Sequence, residues 1–250
     1  MMYNIINGFV INRKNFLEYD KISTIYSLQL GKIKVLFKGV NKITAKFISF
    51  LEPATEVELQ IVKLKNKNYE PIFKFAGGRA VNFNDKLREN FKIYEYTCKI
   101  LDIVDALTFE YVKDDNKFFL IKRMFDFLAY SKNIEIVFLA FVWRFIKLCG
   151  YMPELNKCVK CKNNFDNKFY FFNFVDKGIM CNECAKTSES ENLEKLRISL
   201  STKELLKKFY RLNAEEIDNL KVAKETVNEI SKFIFLYLQS YLHRPLKVYF

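Results

Sequence analysis

Over its first 80 residues the chain sets apolar against polar positions in short runs. Ile5 to Ile11, Ile22 to Leu30, Ile33 to Phe37, Val57 to Leu64 and Ile72 to Phe75 are apolar or alternating, and Asn7-Gly8, Gly31-Lys32, Gly39 and Pro53 punctuate them. In Val57-Glu58-Leu59-Gln60-Ile61 the period is two, apolar in and polar out, as a half-buried strand requires. Five short strands without a long helix predict a small closed barrel. The OB-fold is the five-stranded candidate, with an SH3-like barrel as the alternative. Gly77-Gly78 is read as the close of this barrel.

From Phe83 the period lengthens. Ile93, Tyr96, Ile100, Ile103 and Leu107 recur at three and four, the stripe of an amphipathic helix. Further helices are expected from Lys117 to Tyr130 and from Ile134 to Cys149. The latter is apolar nearly all round and should be the central helix of a bundle; after Glu135 its only charges are Arg144 and Lys147, on one side. Arg144 either snorkels to the surface or belongs to an anion site, and sequence alone favours snorkelling. A short helix is predicted from Thr202 to Leu212, with Ser201 or Thr202 as its cap. A long stripe runs from Leu220 to Tyr241, ends before Pro245 and should dock on the earlier helices.

Between the helical segments lies Cys158-Val159-Lys160-Cys161, then nineteen residues, then Cys181-Asn182-Glu183-Cys184. Two CxxC pairs at this separation match a zinc ribbon, in which two knuckles each offer two thiolates to one tetrahedral ion. Phe169 to Phe174 followed by Asp176-Lys177-Gly178 supplies a strand and a turn for the insert. The expectation is one structural Zn2+ per chain on Cys158, Cys161, Cys181 and Cys184. Disulfides fit less well, because no signal peptide is visible and Cys98 and Cys149 stand alone in apolar helices. Four cysteines close the shell, so catalytic zinc is not expected, and the lone His243 argues against Ser-His or Cys-His chemistry. No G-x-x-x-x-G-K-[ST] or G-x-G-x-x-G is present, and no catalytic residue is assigned. The predicted class is α+β, with an OB-fold barrel at 1–80 and a helical domain at 81–250 carrying the ribbon at 151–187. A polar, acidic linker is read from Thr187 to Glu194.

Charge sharpens this picture. Residues 1–80 carry 13 Lys and Arg against 6 Asp and Glu, so net +7 of the chain's +12 sits in the barrel segment. Residues 151–186 carry only +2. A basic domain usually meets a polyanion, most often a phosphate backbone. Lys32, Lys34 and Lys38 share one face of a strand, and Lys42 and Lys46 follow Gly39, with Phe47 and Phe50 close behind. These lysines are the candidate DNA contacts, whereas the two aromatics are read as core. The longest apolar run, Ile136 to Trp143, is eight residues, too short to span a bilayer, and a cytoplasmic protein without membrane partners is expected.

The order of barrel, helices, four-cysteine insert and last helix resembles the bacterial recombination mediator family RecO. The motif Phe141-x-x-Arg144-x-x-Lys147-x-x-Gly150-Tyr151-x-Pro153-x-Leu155-x-x-Cys158-x-x-Cys161, then Gly178-x-x-Cys181-x-x-Cys184, is similar to the family's pattern. So are Gly8-Phe9-Val10-Ile11, Gly31-Lys32-Ile33 with Lys38-Gly39, and Arg244-Pro245-Leu246-Lys247 near the end. Departures are Lys162 where glycine is common, Asn41 in a usually arginine-rich stretch, and Val248 for a terminal serine. The resemblance implies a non-enzymatic bacterial repair factor, associated with the nucleoid. Such a factor binds single- and double-stranded DNA, anneals complementary strands and, with RecR, helps load RecA onto DNA coated by single-strand binding protein (SSB). It also implies a site for the C-terminal tail of SSB, for which Arg144 and Lys147 are the candidates. The competing readings are a zinc-ribbon transcription or RNA-binding factor and a metal-dependent nuclease; for the nuclease no carboxylate cluster stands out by spacing.

Overall fold

The alternating runs become β1 (Asn4–Asn15), β2 (Lys21–Ser27), β3 (Gly31–Phe37), β4 (Glu56–Lys63) and β5 (Phe73–Asn82). They close into a barrel in the order β1-β2-β3-β5-β4, the expected OB-like architecture. The structure is a computed structural model, and it describes residues 4–41, 47–64, 73–164, 169–187, 195–242 and 246. The described chain divides into two compact units, Met1–Tyr130 and Ser131–Phe250. Inward positions such as Ile6, Ile25, Ile33, Val35 and Ile61 are fully buried in the barrel, each contributing roughly 1.5–3 kcal/mol. The β1–β2 register shifts between Val10 and Asn12. Before that shift, ordinary strand alternation buries consecutive residues on opposite faces: Val10 joins the barrel core while the Phe9 ring lies 5.3 Å from Phe118 and 5.4 Å from Phe125.

The barrel does not close at Gly77-Gly78. β5 runs through both glycines, pairing Gln60 with Gly77 and Leu59 with Gly78, and the β4–β5 register shifts between Gln60 and Ile61. Glycine inside a strand marks a bulge as readily as an end, and here the ladder continues past it. The helices of this unit are α1 (Lys86–Glu89), α2 (Phe91–Leu107) and α3 (Asp115–Leu128). Asn90 caps α2 by accepting from the Lys92 and Ile93 amides, and Asp114 caps α3 through the Lys117 amide. Glu56, almost buried on β4, accepts from Lys122 of α3 at 2.6 Å through both oxygens.

The second unit is built on α4 (Ile134–Leu148), with Ile136–Trp143, Phe145 and Ile146 all buried. It packs against α6 (Leu200–Arg211), α7 (Ala214–Asp218) and α8 (Lys224–Gln239). Val227, Ile230, Ile234 and Tyr237 of the long stripe are buried, but the helix begins at Lys224 and α7 takes up the residues just before Asn219. Between α4 and α6 run β6 (Phe169–Asn173), β7 (Gly178–Met180), α5 (Asn182–Thr187) and β8 (Lys195–Ser199). They form a three-stranded sheet of order β7-β6-β8. β8 directly follows the expected linker, of which residues 188–194 lie outside the described residues. The expected stop at Pro245 and the motif residues Arg244 and Lys247 lie outside them too. Among the described residues, no helix is long and apolar enough to cross a membrane.

Candidate metal centre and nucleic-acid interface

The approach to the first cysteine knuckle is set by how α4 ends. Gly150 takes φ +79°, its amide donates to the Lys147 carbonyl, and the Tyr151 amide donates to the Ile146 carbonyl. This pair of bonds is a Schellman stop, which favours glycine at the left-handed position. Beyond it the Tyr151 carbonyl accepts from the Tyr237 hydroxyl at 2.7 Å, and the Tyr151 and Tyr241 rings lie 4.6 Å apart. Pro153 and Leu155 are buried. The chain then runs beside β7: the Ile179 amide donates to the Glu154 carbonyl at 3.0 Å, and the Val159 amide donates to the Ile179 carbonyl at 2.9 Å. Gly178 permits this approach, because a Cβ there would stand 2.4 Å from Val159 Cγ1 and 2.9 Å from the Glu154 oxygen. Each of these motif residues has a mechanical task in placing the first knuckle.

The knuckles bring Cys158, Cys161, Cys181 and Cys184 together, with all four sulfurs within 4.8 Å of one another. A tetrahedral ion bound at about 2.3 Å to each sulfur would hold them about 3.8 Å apart; Cys161 and Cys181 stand at 3.9 Å. None is in a disulfide. The Cys181 amide donates to Cys158 Sγ and the Cys184 amide to Cys181 Sγ, bonds that orient sulfurs for a metal. Burial alone would push the Cys158 thiol up. The amides of Cys181, Cys161 and Lys160, with the Cys161 side chain, outweigh it and hold this thiol at about 6. Hydrogen bonding to Cys181, burial and the nearby Cys161 and Cys158 push Cys184 up to about 12. The donor set fits a soft, four-coordinate ion with no open position.

Arg144 neither snorkels nor faces outward as a bare cation. Its Nε donates to the Phe209 carbonyl at 2.6 Å, and its Nη2 donates to the Leu212 carbonyl, so it covers the C-terminal carbonyls of α6. Lys147 is exposed, with its ammonium 4.8 Å from the centre of the Tyr210 ring. Sequence reasoning could not foresee this use of Arg144, because its acceptors are backbone groups some 65 residues away.

On the barrel, Lys32 and Lys34 do share one face of β3, but acids from the last turn of α2 and the segment after it lie over it. Lys32 Nζ donates to the Asp105 carbonyl at 2.6 Å and pairs with its carboxylate at 3.3 Å, while Lys34 pairs with Glu110 at 2.8 Å. Lys38 stands exposed on the turn after β3. Lys42 and Lys46 lie outside the described residues. The aromatics after them are not simply core: Phe47 is 37% exposed and Phe50 only partly buried.

Comparison with known proteins agrees with this architecture. The family described as Recombination protein O N terminal matches residues 1–72, and Recombination protein O C terminal matches residues 88–249. The chain is 26% identical over 243 residues to the DNA repair protein RecO of Pelotomaculum thermopropionicum, covering 97% of this chain and 91% of that one. To the RecO protein of Caldicellulosiruptor saccharolyticus it is 22% identical over 241 residues, covering 96% and 94%. To that of Bacillus subtilis it is 24% identical over 234 residues, covering 94% and 88%.

Proposed function

The chain belongs to the RecO family of DNA repair and recombination proteins, and on that premise we propose that it is a non-enzymatic recombination mediator. It binds single- and double-stranded DNA, anneals complementary strands and, with RecR, helps load RecA onto SSB-coated DNA. The observation that carries this reading is the basic excess of the segment that folds as a closed barrel, net +7 against +2 in the cysteine segment. That distribution favours the barrel over the ribbon as the polyanion surface, and so favours a mediator over a zinc-ribbon transcription or RNA-binding factor.

Within the barrel the DNA contacts are Lys38, Lys42 and Lys46, with Lys32 and Lys34 adding charge from positions tied to Asp105 and Glu110. The metal is one Zn2+ on Cys158, Cys161, Cys181 and Cys184, and its task is structural. For the SSB tail the site is the C-terminal end of α4. Lys147 offers the exposed cation there, and Arg144 holds the end of α6 beside it.

Strand annealing without ATP tests the mediator reading: complementary strands should anneal faster with protein, and no acceleration would remove it. Lys38→Glu should weaken binding to unrelated sequences alike. It should also flatten the slope of log K against log salt, since each phosphate neutralised on a single strand contributes about −0.7. An unchanged slope would move the contact elsewhere. For the tail, Lys147→Glu should weaken an SSB tail peptide while naked-DNA binding persists, and equal peptide affinity would exclude this end of α4.

A further inference from the structure

On the barrel the phenylalanine rings form a connected row. Phe37 stacks on Phe75 at 4.7 Å, Phe75 meets Phe47 edge-on at 5.2 Å, Phe47 meets Phe50 at 5.4 Å, and Phe50 lies 6.3 Å from Phe83. The row begins in the core, where Phe37 is fully buried, and emerges at Phe47 and Phe83, 37% and 38% exposed. Both exposed rings sit on fixed backbone. Phe47 opens the 3-10 turn Ile48–Leu51, which places Leu51 in the barrel core. The Phe83 carbonyl accepts from Arg88, whose other nitrogen donates to the Pro53 carbonyl at 2.6 Å. The backbone of both residues is thus tied to neighbouring segments of the barrel unit.

We propose that this row is a stacking platform for the unpaired bases of single-stranded DNA, with Phe47 and Phe83 as the rings that meet them. The proposal rests on the barrel being a nucleic-acid-binding domain and says which feature of the strand it reads. Sequence-tolerant stacking of bases on aromatic faces, beside cations for the backbone, is how single strands are held without base specificity. The net +7 of the barrel segment fits a polyanion better than an apolar protein surface. Of its exposed lysines, Lys38 follows Phe37 on the turn after β3, and Lys74 lies on the face of β5 opposite Phe75. Glu52, two residues from Phe50, is ion-paired with Arg13, and Glu58 of β4 with Arg79. Paired bases present no free faces, so the platform acts on single strands and leaves duplex binding to the lysines.

The test is binding of the full chain to three probes: a labelled thymidine strand, an abasic strand of equal length, and a duplex. Wild type should prefer the thymidine strand to the abasic one by about tenfold or more. The double variant Phe47→Leu with Phe83→Leu keeps apolar volume but removes both rings. It should lose most of that preference, with duplex affinity and the salt slope unchanged. A single Phe47→Trp variant gives an independent reading. The chain's one tryptophan, Trp143, is fully buried, so quenching of the new indole by the thymidine strand, and not by the abasic one, reports stacking. Equal wild-type affinity for the two strands, a preference surviving the double leucine variant, or an unquenched indole would each overturn the platform. If the row instead served a protein partner, the first two results would follow. Failure of wild type to bind any of the three probes would instead remove the nucleic-acid reading itself, and the platform with it.

Discussion

The barrel and the cysteine module are both small sheets, yet they are held by different forces. The barrel closes on itself around its own interior, from Ile6 and Val10 through Ile33 and Phe37 to Leu59 and Ile61, all with at most 1% exposure. The three strands of the module have little interior to close. α5 buries no residue, Cys161 is exposed, and the knuckles are set by Gly150, Gly178 and four sulfurs. What apolar support the module has comes from outside it: Phe172 of β6 lies 4.8 Å from Phe233 and 5.4 Å from Tyr237 of α8. A sheet with its own core keeps its shape without a ligand, whereas a sheet below that size needs a metal or a neighbour.

The most direct way to break the comparison is to take away the metal. In isolated zinc fingers metal binding is worth about 10–16 kcal/mol and is folding energy in the same measure. With the proposed zinc as the ion, Cys161→Ser should reduce zinc content from the expected one per chain to near none. Hydrogen-exchange protection should then vanish in β6, β7 and the two knuckles, while β1–β5 keep theirs. A strong chelator on wild type should give the same map. Protection lost equally from the barrel strands would mean that the two sheets are not independently held. Full protection of β6 and β7 without metal would mean that the docking on α8 alone suffices.

Removing that second support is the next largest change. Phe172 is fully buried, and Phe→Ala in a core costs about 3–5 kcal/mol. Phe172→Ala should shift denaturant unfolding followed in the second unit by that amount. Buried Trp143, whose ring lies 5.9 Å from Phe233, is a natural reporter for it. The change should leave barrel unfolding, followed by exchange at β2 and β3, where it was. A shift below about 1 kcal/mol would show that Phe172 is not what ties the module to α8.

The same contrast explains what could be read from the chain and what could not. The barrel was legible because its code is local: period-two runs such as Val57-Glu58-Leu59-Gln60-Ile61 state which face goes in. The metal cluster was legible because CxxC spacing is itself the geometry. Features resting on distant backbone were not. β8 is a five-residue strand that pairs, among the described residues, with β6, more than twenty residues earlier, and nothing in Lys195-Leu196-Arg197-Ile198-Ser199 names that partner. Arg144 was recognisable as a motif position, but its acceptors are the carbonyls of Phe209 and Leu212. The spacing of Lys32 and Lys34 put them on one face, while Asp105 of α2 and Glu110 just beyond that helix, which meet them there, lie some seventy residues later in the chain.

The smallest effect tests the framework on which the module sits. Asn133 offers no side-chain cap to α4; Asp218, at the end of α7, stands at that terminus instead. It accepts from the Ser131 hydroxyl at 2.7 Å and from the Lys132 and Asn133 amides at 3.0 and 2.8 Å. Burial alone would raise its carboxyl, but those donors and the Lys132 charge outweigh it and hold it below the ordinary range. A carboxylate whose folded pKa is depressed stabilises the fold above its unfolded value of about 3.9. That contribution is lost as pH falls through the lower folded value. Asp218→Asn keeps the size of the side chain and removes the charge. With the discount that solvent screening requires at a partly exposed site, it should cost about 1 kcal/mol at neutral pH. The difference between variant and wild type should stay constant down to about pH 5 and shrink as the wild-type carboxyl protonates below it. Thermal unfolding of both proteins from neutral to acid pH reads this directly, and a difference that did not narrow on acidification would show that packing, not charge, makes Asp218 matter at the start of α4.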